Sequence, residues 1–104
     1  MNLNSMLNAR NKIQKPVRVG LVGAGKFGSM ILSQARHIEG MIITAVADLD
    51  VQKVKESFNR VGWDTSNCFA ASANDAVISR KTWLTDNVAD LCKIQEIECI
   101  IEAT

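Results

Sequence analysis

Apolar residues along the chain fall into two alternating kinds of block. A nearly continuous apolar run occurs at Val17–Val22 and a second apolar run at Met41–Ala47, the pattern of parallel strands covered on both faces. Between them Phe27, Met30, Ile31, Ala35 and Ile38 recur at three- and four-residue steps. That period predicts an amphipathic helix, with Gly40 as its stop. After the second run, Asp50 is placed to cap another helix, whose buried stripe is Val51, Val54, Phe58 and Val61 and whose end is Gly62. Residues 63–80 carry a weaker signal, a loop with a short helix over 75–80. A third strand is expected over 82–85, then a helix capped by Asp86 and running through Val88, Leu91 and Cys92, then a fourth strand over 97–103. Such alternation predicts an α/β fold, a parallel sheet with helices on both faces. Ahead of it, Leu3, Met6, Leu7 and Ile13 fall near helical spacing. They predict a short amphipathic N-terminal helix over 1–15, with the single proline, Pro16, as the boundary to a domain over 16–104.

Composition narrows the class. The chain has 104 residues, 47% apolar and 22% charged, as one soluble globular domain does. No apolar run nears the roughly 18 residues of a membrane-spanning helix, and no secretory signal opens the chain, so the cytoplasm is the expected compartment. Residues 1–15 are basic and acid-free, as organelle transit peptides are, yet the first strand begins one residue after Pro16 and leaves little room for a removable leader. Cys68, Cys92 and Cys99 are odd in number and form no CxxC pair. Neither a disulfide framework nor a metal site is indicated, and the thiols are expected to be reduced and mostly buried.

Net charge is +1, but it is unevenly spread. Arg10, Lys12, Lys15, Arg18, Lys26 and Arg36 stand in residues 1–38 without an acid, and the remainder is net negative. A positive field therefore surrounds the glycine-rich stretch and favours an anionic ligand. The bases are not interleaved with aromatics, which argues against nucleic acid as a partner.

The stretch GLVGAGKFG, residues 20–28, fits two phosphate-binding patterns. In GxxxxGK[ST], begun at Gly20, a hydroxyl must follow the lysine to ligate magnesium, and Phe27 stands there instead. Gly20 also falls inside the apolar run rather than after it. In GxGxxG, begun at Gly23, each glycine has a mechanical reason. Gly23 permits the tight turn, Gly25 lets the backbone approach a pyrophosphate, and Gly28 lets helix and strand pack closely. Amide groups in the first turn of the helix hold the anion, and Lys26 adds charge without a metal. Phe27 is then an ordinary apolar residue, either core or a wall beside the cofactor. Asp48 lies 20 residues beyond Gly28, at the end of the second strand. An acid there accepts hydrogen bonds from the adenosine ribose. It disfavours a 2′-phosphate and tilts the choice from NADP toward NAD, unless Lys53 or Lys55 turns toward the phosphate. These features predict a Rossmann-type doubly wound parallel sheet, truncated after the fourth strand, with the chain as part of a longer protein.

The segments VRVGLVGAGKFGSM, AVADLD, VGWD and IECIIEAT resemble the N-terminal, NAD(P)-binding part of homoserine-dehydrogenase-like bacterial oxidoreductases. Those proteins often carry a C-terminal SAF domain, and the group includes a reductoisomerase-like enzyme acting on deoxyxylulose phosphate. The glucose–fructose oxidoreductase and inositol dehydrogenase family shares the opening pattern. The resemblance implies cofactor contacts at Gly23, Gly25, Lys26, Phe27, Gly28 and Asp48, with Ala103 and Thr104 near the nicotinamide. The family's catalytic residues have no counterpart in this chain. It also implies a small-molecule substrate bound through another domain and a homo-oligomeric parent.

Other residues have structural readings. His37 suits the last turn of the first helix. Glu98 and Glu102 flank a buried strand without facing each other, and Trp63 packs over a helix end. The leading expectation is the NAD(P)-binding segment of an oxidoreductase that transfers a hydride between nicotinamide and a carbonyl or alcohol carbon. The alternatives are a dinucleotide-sensing regulatory module and a magnesium-dependent nucleotide hydrolase.

Overall fold

The computed structural model describes residues 16–103 apart from residue 24, with only the backbone at Lys26 and Phe27. The expected helix over 1–15 and the candidate residue Thr104 lie outside the described residues. The elements run β1 (Val17–Val22), α1 (Lys26–Ala35), β2 (Met41–Ala47), α2 (Val51–Arg60), α3 (Ala73–Ser79), β3 (Trp83–Thr85), α4 (Val88–Cys92) and β4 (Cys99–Glu102). The strands form one four-stranded sheet in the order β3-β2-β1-β4, and every pairing is parallel. The α/β class and the parallel sheet are those the apolar pattern predicts. No helix among the described residues is long and apolar enough to cross a membrane.

One face of the sheet packs against α1 and α2. Val19 and Leu21 of β1, Ile43 and Val46 of β2, Leu32 and Ala35 of α1, and Val54 and Phe58 of α2 form its core. Phe58 is wholly buried, with Trp63 and Phe69 against it at centroid distances of 5.2 and 5.0 Å. Burying such a ring contributes about 2–3 kcal/mol. The indole of Trp63 also donates to Leu32 O at 3.0 Å, tying the segment after α2 to α1. On the other face Ala45, Ala47 and Leu91 pack with Trp83, Ile94 and Ile97, under α4.

The two faces of β2 are sorted by a bulge. Val19 pairs with Ile43 but Gly20 pairs with Ala45, so Thr44 is an extra residue with no partner in β1. One added residue inverts the alternation of all that follow. Ile43 and Val46 accordingly share the first face, while Ala45 and Ala47 fall on the second. Thr44 is fully buried, and its hydroxyl has no hydrogen-bond partner.

Several boundaries differ from the sequence expectation. α1 ends at Ala35, with Arg36 as its cap, so His37 lies in the turn beyond the helix rather than in its last turn. The buried face of α1 includes Leu32, which the three- and four-residue pattern passed over, whereas Met30 is 49% exposed. α3 starts at Ala73, because the Ser72 hydroxyl accepts from Asp75 N at 3.1 Å and Asp75 Oδ2 accepts from Ala71 N at 3.2 Å. Those reciprocal bonds close the first turn of a helix. Asn87, not Asp86, caps α4, its Oδ1 accepting from Ala89 N at 2.9 Å. Thr82 stands just before β3, bridged to Phe69 and donating its hydroxyl to Ile43 O at 2.6 Å.

β4 is the main correction. It spans Cys99–Glu102 rather than 97–103, and it is exposed along its length except for half-buried Ile101. It lies at the sheet edge beside β1 alone, so Glu98 precedes an exposed strand and Glu102 is its last residue. Cys92 and Cys99 are likewise exposed, against the expectation of buried thiols, because α4 and β4 present those positions outward. Cys68 is half-buried, and that burial raises its thiol pKa.

Candidate functional site

The glycine loop leaves the sheet where its order reverses. β1 is followed by β2 on one side and, after β3, by β4 on the other. The crevice at such a switch point, outside the carboxyl ends of the strands, is where open α/β sheets bind ligands. Two backbone bonds fix its rim: Gly23 N donates to Ala47 O and Ala103 N donates to Val22 O, both at 2.8 Å. Gly23, Asp48 and Ala103 thus stand at the ends of three adjacent strands.

Each glycine of GxGxxG has a separable local role. Gly23 has φ 89°, a left-handed turn that a side chain would strain. A Cβ on Gly28 would meet Gly23 O at 2.6 Å and Ala103 Cβ at 3.8 Å, so this glycine lets α1 press against the loop and the end of β4. Gly25 differs from both. Its φ of −68° and ψ of −156° are open to other residues, and a Cβ there would meet nothing within 4 Å. The fold does not require glycine at this position.

Gly25 is also the N-cap of α1, and it gives no side-chain cap. The other described helices are capped by Asp50, Ser72 and Asn87. Serine, aspartate or asparagine normally binds the free amides of the first turn and stabilises the helix. At α1 the N-cap residue itself supplies no such side chain, and the first turn holds no acid. Lys26 and Phe27 open this turn by backbone position. The arrangement offers backbone donors and the positive end of a helix dipole to an anion that can approach Gly25 closely.

Asp48 follows β2 directly. Its amide donates to Thr85 O at 3.0 Å, and its Oδ1 accepts from Asp50 N at 3.0 Å. Asp50 Oδ1 in turn accepts from Lys53 N at 3.2 Å and caps α2. The bulge at Thr44 contributes here, because the inverted alternation carries Asp48 to the side of Val46, the side of α1 and α2. Between the acids Leu49 is 94% exposed, an apolar surface next to the carboxylate. The sequence reading did not single out Leu49 or the bulge. Leu49 was legible in the DLD spacing, whereas the bulge shows only in the strand pairing.

Gly20, the first glycine of the competing triphosphate pattern, lies within β1, paired with Ala45 and Ile100. A Cβ there would meet Leu91 Cδ2 at 2.8 Å and Ile97 Cδ1 at 3.2 Å. This glycine makes room for core side chains and is no part of the loop. The structure thus gathers Gly23, Gly25, Gly28, Asp48 and Ala103 at one edge, with the backbone of Lys26 and Phe27. No family model matches the chain, and no curated protein matches it.

Proposed function

We propose that this crevice binds a nicotinamide dinucleotide, and that the chain is the cofactor-binding domain, of Rossmann type, of an oxidoreductase. The observation that carries the reading is Gly25, a glycine that neither backbone angle nor crowding requires, at the one described helix start lacking a side-chain cap. Such a position is explained by a ligand that needs the space a Cβ would fill.

Gly25 and the first-turn amides of α1 would hold the pyrophosphate, Asp48 the adenosine ribose, and Leu49 the adenine. Ala103 would border the nicotinamide. When bound, the cofactor supplies hydride transfer to or from a carbonyl or alcohol carbon. The chain's own residues position it: Gly28 seats α1 against Gly23, and the Asp50 amide orients the Asp48 carboxylate. Two carboxylates at this strand end favour NAD over NADP, because a 2′-phosphate would meet like charge. The likeness of the motifs to homoserine-dehydrogenase-like oxidoreductases supports a small-molecule substrate held by a further domain.

The direct test is Gly25→Ser. Serine is a better N-cap than glycine, so the variant should be at least as stable as wild type. Its side chain should nevertheless obstruct the pyrophosphate and weaken NADH binding by about 100-fold, roughly the loss of one or two charge-assisted hydrogen bonds. Unchanged NADH affinity in the folded variant would remove the loop from the cofactor site.

A further inference from the structure

The two tryptophans of the chain are satisfied differently. Trp63 donates its indole N–H to Leu32 O at 3.0 Å, whereas the indole of half-buried Trp83 has no hydrogen-bond partner among the described residues. Trp83 lines a cavity of about 440 Å³ on the second face of the sheet, between α3 and the turn that follows α4. Val77 of α3 and Ile94 of that turn give apolar walls, and Arg18 ties the α3 wall to β1 by donating to Val77 O at 3.2 Å. Trp83 is the first residue of β3, so the cavity lies toward the amino ends of the strands, away from the glycine loop.

Around the indole stand Asn74, Gln95 and Glu96, whose side chains likewise have no hydrogen-bond partner among the described residues. Apolar walls with a few convergent polar groups are the makings of a small-molecule site. The free groups define its chemistry. An indole N–H only donates, so the ligand must carry an acceptor, and a carboxylate only accepts, so the ligand must also carry a donor. The amides of Asn74 and Gln95 offer both and match a mixed edge. A simple ammonium ion would meet Glu96 and leave the indole without an acceptor. An anion would face Asp90 and Glu96, while the one base, Lys93, is already beside Asp90 with Nζ 3.9 Å from Oδ1. An aromatic body suits packing against Trp83.

We propose that this cavity binds a neutral, amino-substituted nitrogen heterocycle of the adenine kind. The ring lies against Trp83 and Ile94, a ring nitrogen accepts from the indole N–H, and the amino group donates to Glu96. The site is separate from the dinucleotide crevice and does not depend on that reading.

With two tryptophans the chain gives two indole signals in a proton–nitrogen correlation NMR spectrum, and Trp83→Phe assigns them. Titration with adenosine should move the Trp83 signal saturably and leave that of Trp63 in place. Purine riboside, which lacks the amino group, should bind more weakly, and so should adenosine monophosphate, whose charge meets the acids. Glu96→Ala should lower affinity for adenosine about tenfold or more, the scale of one lost hydrogen bond to a charged group. Glu96 is exposed, so this variant should fold as wild type does. Trp83→Phe keeps a ring and removes the N–H, and by calorimetry it should cost roughly threefold to tenfold in affinity. Absence of a saturable shift at Trp83, equal binding of purine riboside or of the monophosphate, or unchanged affinity in folded Glu96→Ala would overturn the proposal.

Discussion

Gly28→Ala tests how tightly α1 is seated on the loop. The added Cβ would stand 2.6 Å from Gly23 O and 3.2 Å from Gly23 C, both backbone atoms. To reach even the tight limit of 3.0 Å, the first pair must separate by at least about 0.4 Å. The loop cannot yield freely, because Gly23 N is bonded to Ala47 O and Ser29 N to Gly25 O. Overpacking of this kind costs about 1–3 kcal/mol, and alanine returns at most about 1 kcal/mol of helix propensity. The expected net loss is about 1–2 kcal/mol, which lowers the melting temperature of a domain this size by roughly 4–15 °C. Thermal unfolding followed by far-ultraviolet circular dichroism measures it, with Gly25→Ser as the control that should not fall. A Gly28→Ala protein as stable as wild type would refute the close contact between α1 and the loop.

Other expectations follow from single features of the structure. Thr44→Val removes a buried hydroxyl that has no partner and keeps the side-chain shape. Urea denaturation should show a gain of about 1 kcal/mol, and a loss would mean that the hydroxyl is satisfied in solution. Asp48→Ala should weaken NADH by about 10-fold to 100-fold, the worth of hydrogen bonds to a charged group, and NADPH much less. Equal losses for the two would take Asp48 out of the ribose role. Hydrogen bonds from Ser66 and Asn67 hold Asp64 below its usual pKa of 3.8, and bonds from Ser79 and Ala71 do the same for Asp75. A carboxylate with a depressed folded pKa contributes stability above its unfolded pKa and loses it as pH falls through the folded value. Stability should therefore decline below about pH 4, and Asp64→Asn with Asp75→Asn should flatten that decline in acid titrations followed by circular dichroism.

The sequence carried the fold where local signals were strong and unopposed. β1 and β2 stood out because both are predominantly apolar, β-rich runs, and α2 because Asp50, Val54 and Phe58 act locally. It failed where tertiary contacts decide. Leu32 is buried on α1 and Met30 is half-exposed, since the position of α2 and Trp63 selects which flank of the helix faces inward. Apolar β4 gave no sign of its exposure, because an edge strand and a central one share the same residue types. The crevice was legible in part: the spacing of Gly23, Gly25, Gly28 and Asp48 is a sequence property. The bulge that sets the side on which Asp48 emerges depends on the pairing of β1 with β2, which no local pattern encodes.

The central claim, a dinucleotide at the carboxyl edge of the sheet, is tested most directly by calorimetric titration of the protein with NADH, and separately with ATP and magnesium. The account predicts saturable, one-site binding of NADH that needs no metal and is lost in Gly25→Ser. Magnesium-dependent ATP binding with no response to NADH or NADPH would contradict it.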